Sequence, residues 1–396
     1  MAARLSGGGL ARGLGLLAGI AALAAGGVAA GVELERRLVN KRIAKQPRDD
    51  SEPFFQLRSD GPLVTTPDGV VLHTEIDDAP GAAPEDPTLV FVHGYALSMD
   101  CWHFQRKHFR GRLRQVFYDQ RSHGRSTRSE PRRCRIPQLA EDLAQVLDEV
   151  AAPSAEPAPG GTASEPPRAV PIPGGTPPGP SGAVPIPGGT PPGPPRPLIL
   201  IGHSMGGMAI MRLAETQPER FGTQVRGVAL FMTAAGDMAD YSPIRGLPGR
   251  TFSRIAEPLM ATLNRVPELV AQSRKAGSDL GYVVTKRMAF GSDVPPSYVD
   301  FVSEMVAETP LEVVADFYPA FADLDEYKAL AGLSKLPVAV VGGVDDMVTP
   351  ISHTDRIVEL LPDAEATRLP GCGHLGMIEH AEECNAVLDR LIARSR

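Results

Sequence analysis

The residues with the clearest chemical potential are a serine and the small residues around it. The segment Gly-His-Ser-Met-Gly at positions 202–206 follows an apolar run, 197–201, that predicts a buried strand. A serine on a sharp strand-to-helix turn stands clear of the sheet, where a base can take its proton. The backbone N–H of Met205 then lies at the start of the helix, where a developing oxyanion would be stabilised. The pattern predicts a nucleophile at Ser204.

Two later loops carry the partners that a serine nucleophile needs. The strand predicted over 336–341 leads into a loop with two carboxylates, Asp345 and Asp346, either of which could orient a histidine. The short strand predicted over 366–369 leads into a glycine-rich loop with His374 at its tip. A lone G-x-S-x-G also occurs in ordinary turns, so the three loops together carry the prediction of a base and an acid.

The order serine, acid and histidine, each after a predicted strand, resembles the α/β-hydrolase family. Two more segments carry the resemblance: Val-Phe-Val-His-Gly-Tyr at 90–95 resembles the family's oxyanion loop, and Asp-Gln-Arg-Ser-His-Gly-Arg-Ser at 119–126 resembles a structural turn. The likeness covers about 60–150 and 197–396. It implies an α/β fold with a mostly parallel sheet, flanking helices and a helical lid insertion.

The resemblance also implies a role for each site residue. Ser204 is the nucleophile, His374 the base, and the backbone N–H groups of Tyr95 and Met205 form the oxyanion hole. The activity implied is hydrolysis of carboxylic esters through an acyl-enzyme, with no cofactor. Dehalogenases and epoxide hydrolases are disfavoured, because they carry a carboxylate where this chain has Ser204.

The choice between the two carboxylates also follows from the resemblance. The family's acid motif is Asp, any residue, two apolar residues and Pro, which fits 346–350 with only Thr349 a weak match. Asp346 is therefore the expected acid. Asp345 is expected to be a solvated loop carboxylate.

Other functions with the same fold stay open. Serine C–C bond hydrolases and cofactor-free perhydrolases carry the same triad and differ in the pocket. Outside the enzymes, the alternative is a non-catalytic, hydrolase-like binding protein at a membrane. The resemblance places a lid at about 235–328, and its apolar helical stripes indicate an apolar acyl or lipid-like substrate.

Composition argues against several classes of function. The 396-residue chain has a formal net charge of −7 and no extended basic patch, so we expect no nucleic-acid partner. None of the histidines has metal-ligand spacing with a second ligand, so we expect no metal site. The four cysteines show neither C-x-x-C spacing nor the density of a disulfide framework, and Cys372 is expected to be a packing residue.

The first 50 residues are expected to hold a membrane segment and a linker, with the hydrolase domain at 51–396. Residues 13–32 carry no charge and are long enough to span a bilayer. A retained single-pass anchor is favoured over a cleaved export signal and over a soluble helix. The excess of positive charge after the segment favours a cytoplasmic catalytic domain.

A proline-rich insertion at 152–197 interrupts the domain. It contains the sequence AVPIPGGTPPGP twice, at 169–180 and at 183–194. Proline removes backbone donors and intervening glycines add freedom, so we expect a disordered spacer or a repeat expansion. A ligand for a partner that binds polyproline helices is the alternative.

Overall fold

The structure is a computed structural model that describes residues 52–83, 85–151, 196–241, 249–251, 254 and 278–396. The expected membrane segment at 13–32 lies outside these residues, as do 152–195 of the proline-rich insertion and the middle of the expected lid. Across the described ranges, no helix is both long enough and apolar enough to cross a membrane.

Within the described residues, nine strands form two sheets. In chain order they are β1 (Val64–Thr65), β2 (Val71–Leu72), β3 (Thr74–Asp77), β4 (Thr88–Val92), β5 (Gln115–Tyr118), β6 (Leu198–His203), β7 (Val225–Phe231), β8 (Val338–Gly343) and β9 (Glu365–Leu369). The main sheet has the order β3-β5-β4-β6-β7-β8-β9, while β1 and β2 form a separate antiparallel pair. Within the main sheet, β3 runs antiparallel to its neighbour, β5, and the other neighbouring pairs of described strands are parallel. The mostly parallel sheet expected from the sequence is confirmed.

Helices cover both faces of this sheet. They are α1 (His103–Phe109), α2 (Ile136–Ala151), α3 (Met205–Thr216), α4 (Ser278–Ala289), α5 (Pro296–Glu308), α6 (Leu311–Phe317), α7 (Pro319–Ala322), α8 (Leu330–Leu333), α9 (Ile351–Leu360), α10 (Gly376–Glu379) and α11 (Ala381–Arg394). Apolar residues of α2 and α3 pack on one face, and those of α1 and α11 pack on the other.

The central strand β6 shows why helices cover both faces of the sheet. All six of its residues are buried. Successive side chains of a strand point to opposite faces, so Leu198 and Leu200 enter one core while Ile199 and Ile201 enter the other. Such a continuous apolar run is typical of a parallel strand with helices on both sides.

The described part of the lid is helical, as expected. It includes α4, α5, α6 and α7, and four apolar residues of α5 are buried: Val299, Phe301, Val302 and Met305. The strands β4, β6, β8 and β9 are parallel, so the loops that follow them meet at one edge of the sheet. These loops carry the residues singled out in the sequence.

Candidate active site

Ser204 lies between β6 and α3 with a strained backbone. Its φ and ψ are 51° and −119°, in the left-handed region that non-glycine residues rarely adopt. A Cβ atom at Gly206 would collide with the carbonyl oxygen of Val92, so glycine is required where α3 meets the end of β4. This close approach holds the turn that carries Ser204 against the neighbouring strand.

His374 pairs with Asp346. Its Nδ1 lies 2.8 Å from Oδ2 of Asp346, and both side chains are buried. Since an ionised carboxylate only accepts, Nδ1 carries the proton and Nε2 is left as the basic atom of a neutral ring. The exposed Asp345 uses its backbone N–H to bind the carbonyl of Cys372 at 3.0 Å. Of the two carboxylates, the structure brings Asp346 to the histidine.

The carboxylate of Asp346 is held by its own loop. Its Oδ1 accepts hydrogen bonds from the N–H groups of Val348 at 2.7 Å and Thr349 at 2.9 Å. The hydroxyl of Thr349 donates to Oδ2 at 2.9 Å and lies 3.3 Å from Nδ1 of His374. The residue that fitted the acid motif least well is thus in contact with both members of the pair.

The loop after β4 passes directly against Ser204. A Cβ atom at Gly94 would lie 2.5 Å from Nδ1 of His203 and 3.2 Å from Cβ of Ser204. Tyr95 follows in this loop, and Met205 follows the serine. Among the described residues, the backbone N–H groups of Tyr95 and Met205 donate to no other protein group. Both expected oxyanion donors therefore flank the same turn.

Buried neutral histidines fix the position of this loop. His93 donates from Nδ1 to the carbonyl of Gly94 at 2.7 Å and accepts at Nε2 from the N–H of Gln120 at 2.9 Å. His123 accepts at Nε2 from the N–H of Ala96 at 3.2 Å. Burial lowers the pKa of His93 to about 3 and that of His123 to about 4. Both histidines therefore have structural roles, through their hydrogen bonds to this loop.

The turn at 119–126 also contacts the segment that follows β4. Asp119 accepts the N–H groups of Met99 at 2.8 Å and Arg125 at 2.9 Å. Buried Arg121 donates to both carboxylate oxygens of Asp142, each at 2.6 Å. These contacts agree with the structural role expected for the turn.

A cavity of about 410 Å³ adjoins the serine and the histidine. Ser204 and His374 line it together with Tyr95. The rest of its wall is mostly apolar and is formed by Leu97, Met208, Met238, Ala239, Tyr241, Val284, Thr285, Met288, Ala289, Val302, Val306, Tyr318, Pro319, Phe321, Ala322, Met347, Val348 and Leu375. Within the described ranges, no Asp, Glu, Lys or Arg lines the cavity.

Comparison with known proteins agrees with this architecture. Residues 89–387 match the sequence model of the alpha/beta hydrolase family. The chain belongs to this family.

The hydrolase is similar to enzymes with different reactions. It is 24% identical over 204 residues to a pimeloyl-[acyl-carrier protein] methyl ester esterase of Aromatoleum aromaticum, a match that covers 50% of this chain and 75% of the esterase. It is 26% identical over 189 residues to a 2-hydroxy-6-oxo-6-phenylhexa-2,4-dienoate hydrolase of Burkholderia cepacia, covering 47% and 59% of the two chains.

Solved structures share the fold. A thermophilic esterase from Thermogutta terrifontis superposes with a TM-score of 0.58 and 18% identity over 86% of this hydrolase and 99% of the esterase. A bromoperoxidase from Bacillus anthracis also gives 0.58 and 18%, over 85% and 100% of the two chains. Likeness at these identities shows the fold alone.

The cysteines of this hydrolase do not compete with the serine. All four are free and buried. Burial raises the pKa of the Cys372 thiol well above its usual range, so the reactive thiolate is scarce. Cys372 packs beside the His374 loop, as expected. In the part of the chain that the structure describes, no cluster of three or more His, Cys, Asp or Glu side chains could hold a metal ion.

Proposed function

We propose that this hydrolase cleaves carboxylic esters with apolar acyl groups through a serine triad. The observation that carries the proposal is the 2.8 Å contact between His374 and Asp346 beside a cavity that Ser204 also lines. Serine hydrolysis needs a nucleophile, a base in the correct tautomer and an acid that orients it. All three roles have a candidate at the same edge of the sheet.

The mechanism follows from these positions. The Oγ of Ser204 attacks the ester carbonyl while Nε2 of His374 takes its proton. Asp346 holds the ring and stabilises the imidazolium, and the N–H groups of Tyr95 and Met205 bind the oxyanion. The protonated His374 then donates to the leaving alkoxide. Water, activated by the same ring, releases the acid and restores Ser204.

The cavity wall supports an uncharged, apolar acyl group. Methionines from four parts of the chain contribute to it, Met208, Met238, Met288 and Met347. Their flexible side chains adapt to different acyl shapes. The lining supplies no described Lys or Arg that would pair with an anionic substrate.

The apolar lining also favours ester cleavage over C–C bond hydrolysis, the alternative reaction of one relative. The Burkholderia cepacia enzyme is named for a dienoate, which is a carboxylate. A carboxylate buried in the cavity needs a charged or strong hydrogen-bonding partner. The apolar wall therefore favours the ester over an anionic dienoate, and perhydrolysis stays an alternative that uses the same triad.

Replacement of the nucleophile tests the proposal. Ser204→Ala should lower kcat for p-nitrophenyl esters by at least about 10³-fold and abolish labelling by a fluorophosphonate probe. The control is Ser334→Ala, which alters an exposed serine whose hydroxyl donates to the carbonyl of Ala331. A Ser204→Ala protein that keeps a tenth of the wild-type rate would refute the assignment. Wild-type protein that neither reacts with the probe nor cleaves any ester would favour the binding-protein alternative.

We also propose, from the sequence alone, that residues 13–32 attach the hydrolase to a membrane as a single-pass segment. The uncharged 20-residue run supports this assignment. Full-length protein should sediment with membranes and resist carbonate extraction, whereas a variant without residues 1–50 should not. Extraction of the full chain by carbonate would contradict the proposal.

A further inference from the structure

Glu379 joins two parts of the site without lining the cavity. It is the last residue of α10. Its Oε2 accepts the N–H of Gly373 at 2.7 Å and that of Gly291 at 3.1 Å. Its Oε1 accepts both the N–H and the hydroxyl of Ser292, each at 2.5 Å. Four donors from two separate segments therefore converge on one carboxylate.

The first of these segments is the loop of the base. Gly373 directly precedes His374, so the bond from its N–H holds the loop one residue before the imidazole. On the other side of the histidine, the N–H of Leu375 donates to the carbonyl of Ala289 at 2.9 Å. His374 is thus flanked by two hydrogen bonds, both of which lead towards the end of α4.

The second segment follows the lid helix α4. Gly291 and Ser292 come directly after Ala289 and Phe290, and a Cβ atom at Gly373 would lie 2.6 Å from the N of Gly291. The two backbones are therefore in direct contact. Residues of α4 form one wall of the cavity: Val284, Thr285, Met288 and Ala289. An acyl chain that fills the cavity presses on the helix whose end is tied to the base.

An ionised carboxylate suits this junction better than any neutral side chain. It has two oxygens with about four acceptor positions and no donor, which matches three N–H groups and one hydroxyl. Bonds of this kind are shorter and stronger than those between neutral groups. A glutamine at the same place would offer one carbonyl oxygen and would direct an NH₂ group at other donors.

We propose that Glu379 is a positioning residue that couples the lid to the base, so that a filled cavity holds His374 in its reactive position. This inference rests on the proposed ester hydrolysis. Through Glu379, contacts between the acyl chain and α4 raise kcat as well as binding. Binding energy from a non-reacting part of the substrate is then used at the reacting centre.

The kinetic test compares esters that fill the cavity with esters that do not. For wild type, kcat/KM should be higher with p-nitrophenyl octanoate than with the acetate. In Glu379→Ala this ratio should fall about tenfold, mainly through kcat for octanoate, because a loosened base loses alignment. The ratio for Glu379→Gln should lie between those of wild type and Glu379→Ala. Rates are expressed per active site titrated with a fluorophosphonate, so a smaller folded fraction changes neither the rates nor their ratio.

The matched control is Glu382→Gln. Glu382 is an exposed carboxylate three residues further on, and its replacement makes the same change in charge. It should leave the octanoate/acetate ratio at the wild-type value. A ratio that is unchanged in both Glu379 variants would overturn the coupling, even if Ser204 is shown to be the nucleophile.

A second measurement does not depend on ester hydrolysis. Ser292→Ala removes only the hydroxyl on the lid side of the junction. If Glu379 links the two segments, hydrogen–deuterium exchange should become faster in peptides covering 371–375 as well as in those covering 289–293. Exchange that changes only at 289–293 would refute the link. If wild type has no esterase activity, the proposed function is refuted. The exchange data would still show whether Glu379 links the two segments.

Discussion

The backbone of His374 is held by His203, the residue directly before the proposed nucleophile. Nε2 of His203 donates to the carbonyl of His374 at 2.9 Å, and the two ring centroids lie 4.7 Å apart. A carbonyl only accepts, so Nε2 of His203 carries the proton. Burial lowers the pKa of His203 well below its usual value, and the ring stays neutral. The side chain of the residue before the proposed nucleophile therefore holds the main chain of the base.

The position of Asp346 predicts unequal effects for two adjacent substitutions. Asp346→Asn should lower kcat by about 10⁴-fold, because the amide no longer holds the histidine in the tautomer that leaves Nε2 basic. Asp345→Asn changes an exposed side chain and should leave kcat nearly unchanged. Steady-state kinetics with a p-nitrophenyl ester measure both. Equal losses, or a larger loss at position 345, would mean that the acid is assigned to the wrong residue.

The hydroxyl of Thr349 should contribute to catalysis through Asp346. Thr349→Val keeps the shape of the side chain and removes its 2.9 Å hydrogen bond to Oδ2. A hydrogen bond to a charged group contributes about 1.5–3 kcal/mol, so kcat should fall by roughly tenfold or more. Thr349→Ser retains the hydroxyl and should stay close to wild type. If the Val and Ser variants have the same kcat, the hydroxyl has no role in orienting the acid.

His123 predicts a specific loss of stability in acid. Burial lowers its pKa from 6.5 to about 4, so between these values the unfolded chain binds a proton that the folded protein does not. Its contribution is fully present above pH 6.5 and is lost as the pH falls towards 4. Compared with His123→Gln, wild type should lose about 1.4 kcal/mol of unfolding free energy per pH unit in this window.

Urea unfolding of both proteins at about pH 7, 6 and 5 measures this difference. Asp119 acts in the opposite direction, because burial raises its pKa to about 7 and makes the folded protein bind the extra proton. The comparison with His123→Gln cancels that contribution, since Asp119 is present in both proteins. If the difference in unfolding free energy between wild type and His123→Gln does not change with pH, the pKa of His123 is not lowered in the folded protein, and the prediction is wrong.

The local pattern of apolar residues in the sequence was enough to predict the strands that carry the site. The strands expected at 336–341 and 366–369 appear as β8 and β9 with shifts of at most two residues. Apolar runs between turn residues mark buried parallel strands clearly. Because each predicted site residue lies within five residues of the end of such a strand, the pattern also predicts that these loops share one edge of the sheet.

The residues that support the site could not be found in this way. Glu379 meets Gly291 and Ser292 across more than 85 positions, and no periodicity or motif connects them. Thr349 was a poor fit to an apolar position of the acid motif, because a family pattern records residue types and cannot show that a hydroxyl binds the acid. Contacts between distant loops depend on the packing of the lid, which sequence spacing alone does not define.

Gly94 provides a test of how closely the oxyanion loop must approach Ser204. In Gly94→Ala, the new methyl group would lie 2.5 Å from Nδ1 of His203 and 3.2 Å from Cβ of Ser204, so the loop, the histidine or both must move. Overpacking of this kind costs about 1–3 kcal/mol of stability. It also shifts the N–H of Tyr95 from the oxyanion position, and kcat should fall by about 100-fold.

The matched control is Gly81→Ala, at an exposed glycine where an added Cβ meets nothing within 4 Å. It should preserve both kcat and the thermal unfolding midpoint. Because His203 also holds the carbonyl of His374, displacement of His203 in Gly94→Ala disturbs the base and the oxyanion loop together. The kcat loss, measured per site titrated with a fluorophosphonate, should therefore exceed the loss of folded protein. A Gly94→Ala enzyme with wild-type kcat would show that the close approach of this loop to Ser204 is not needed for catalysis.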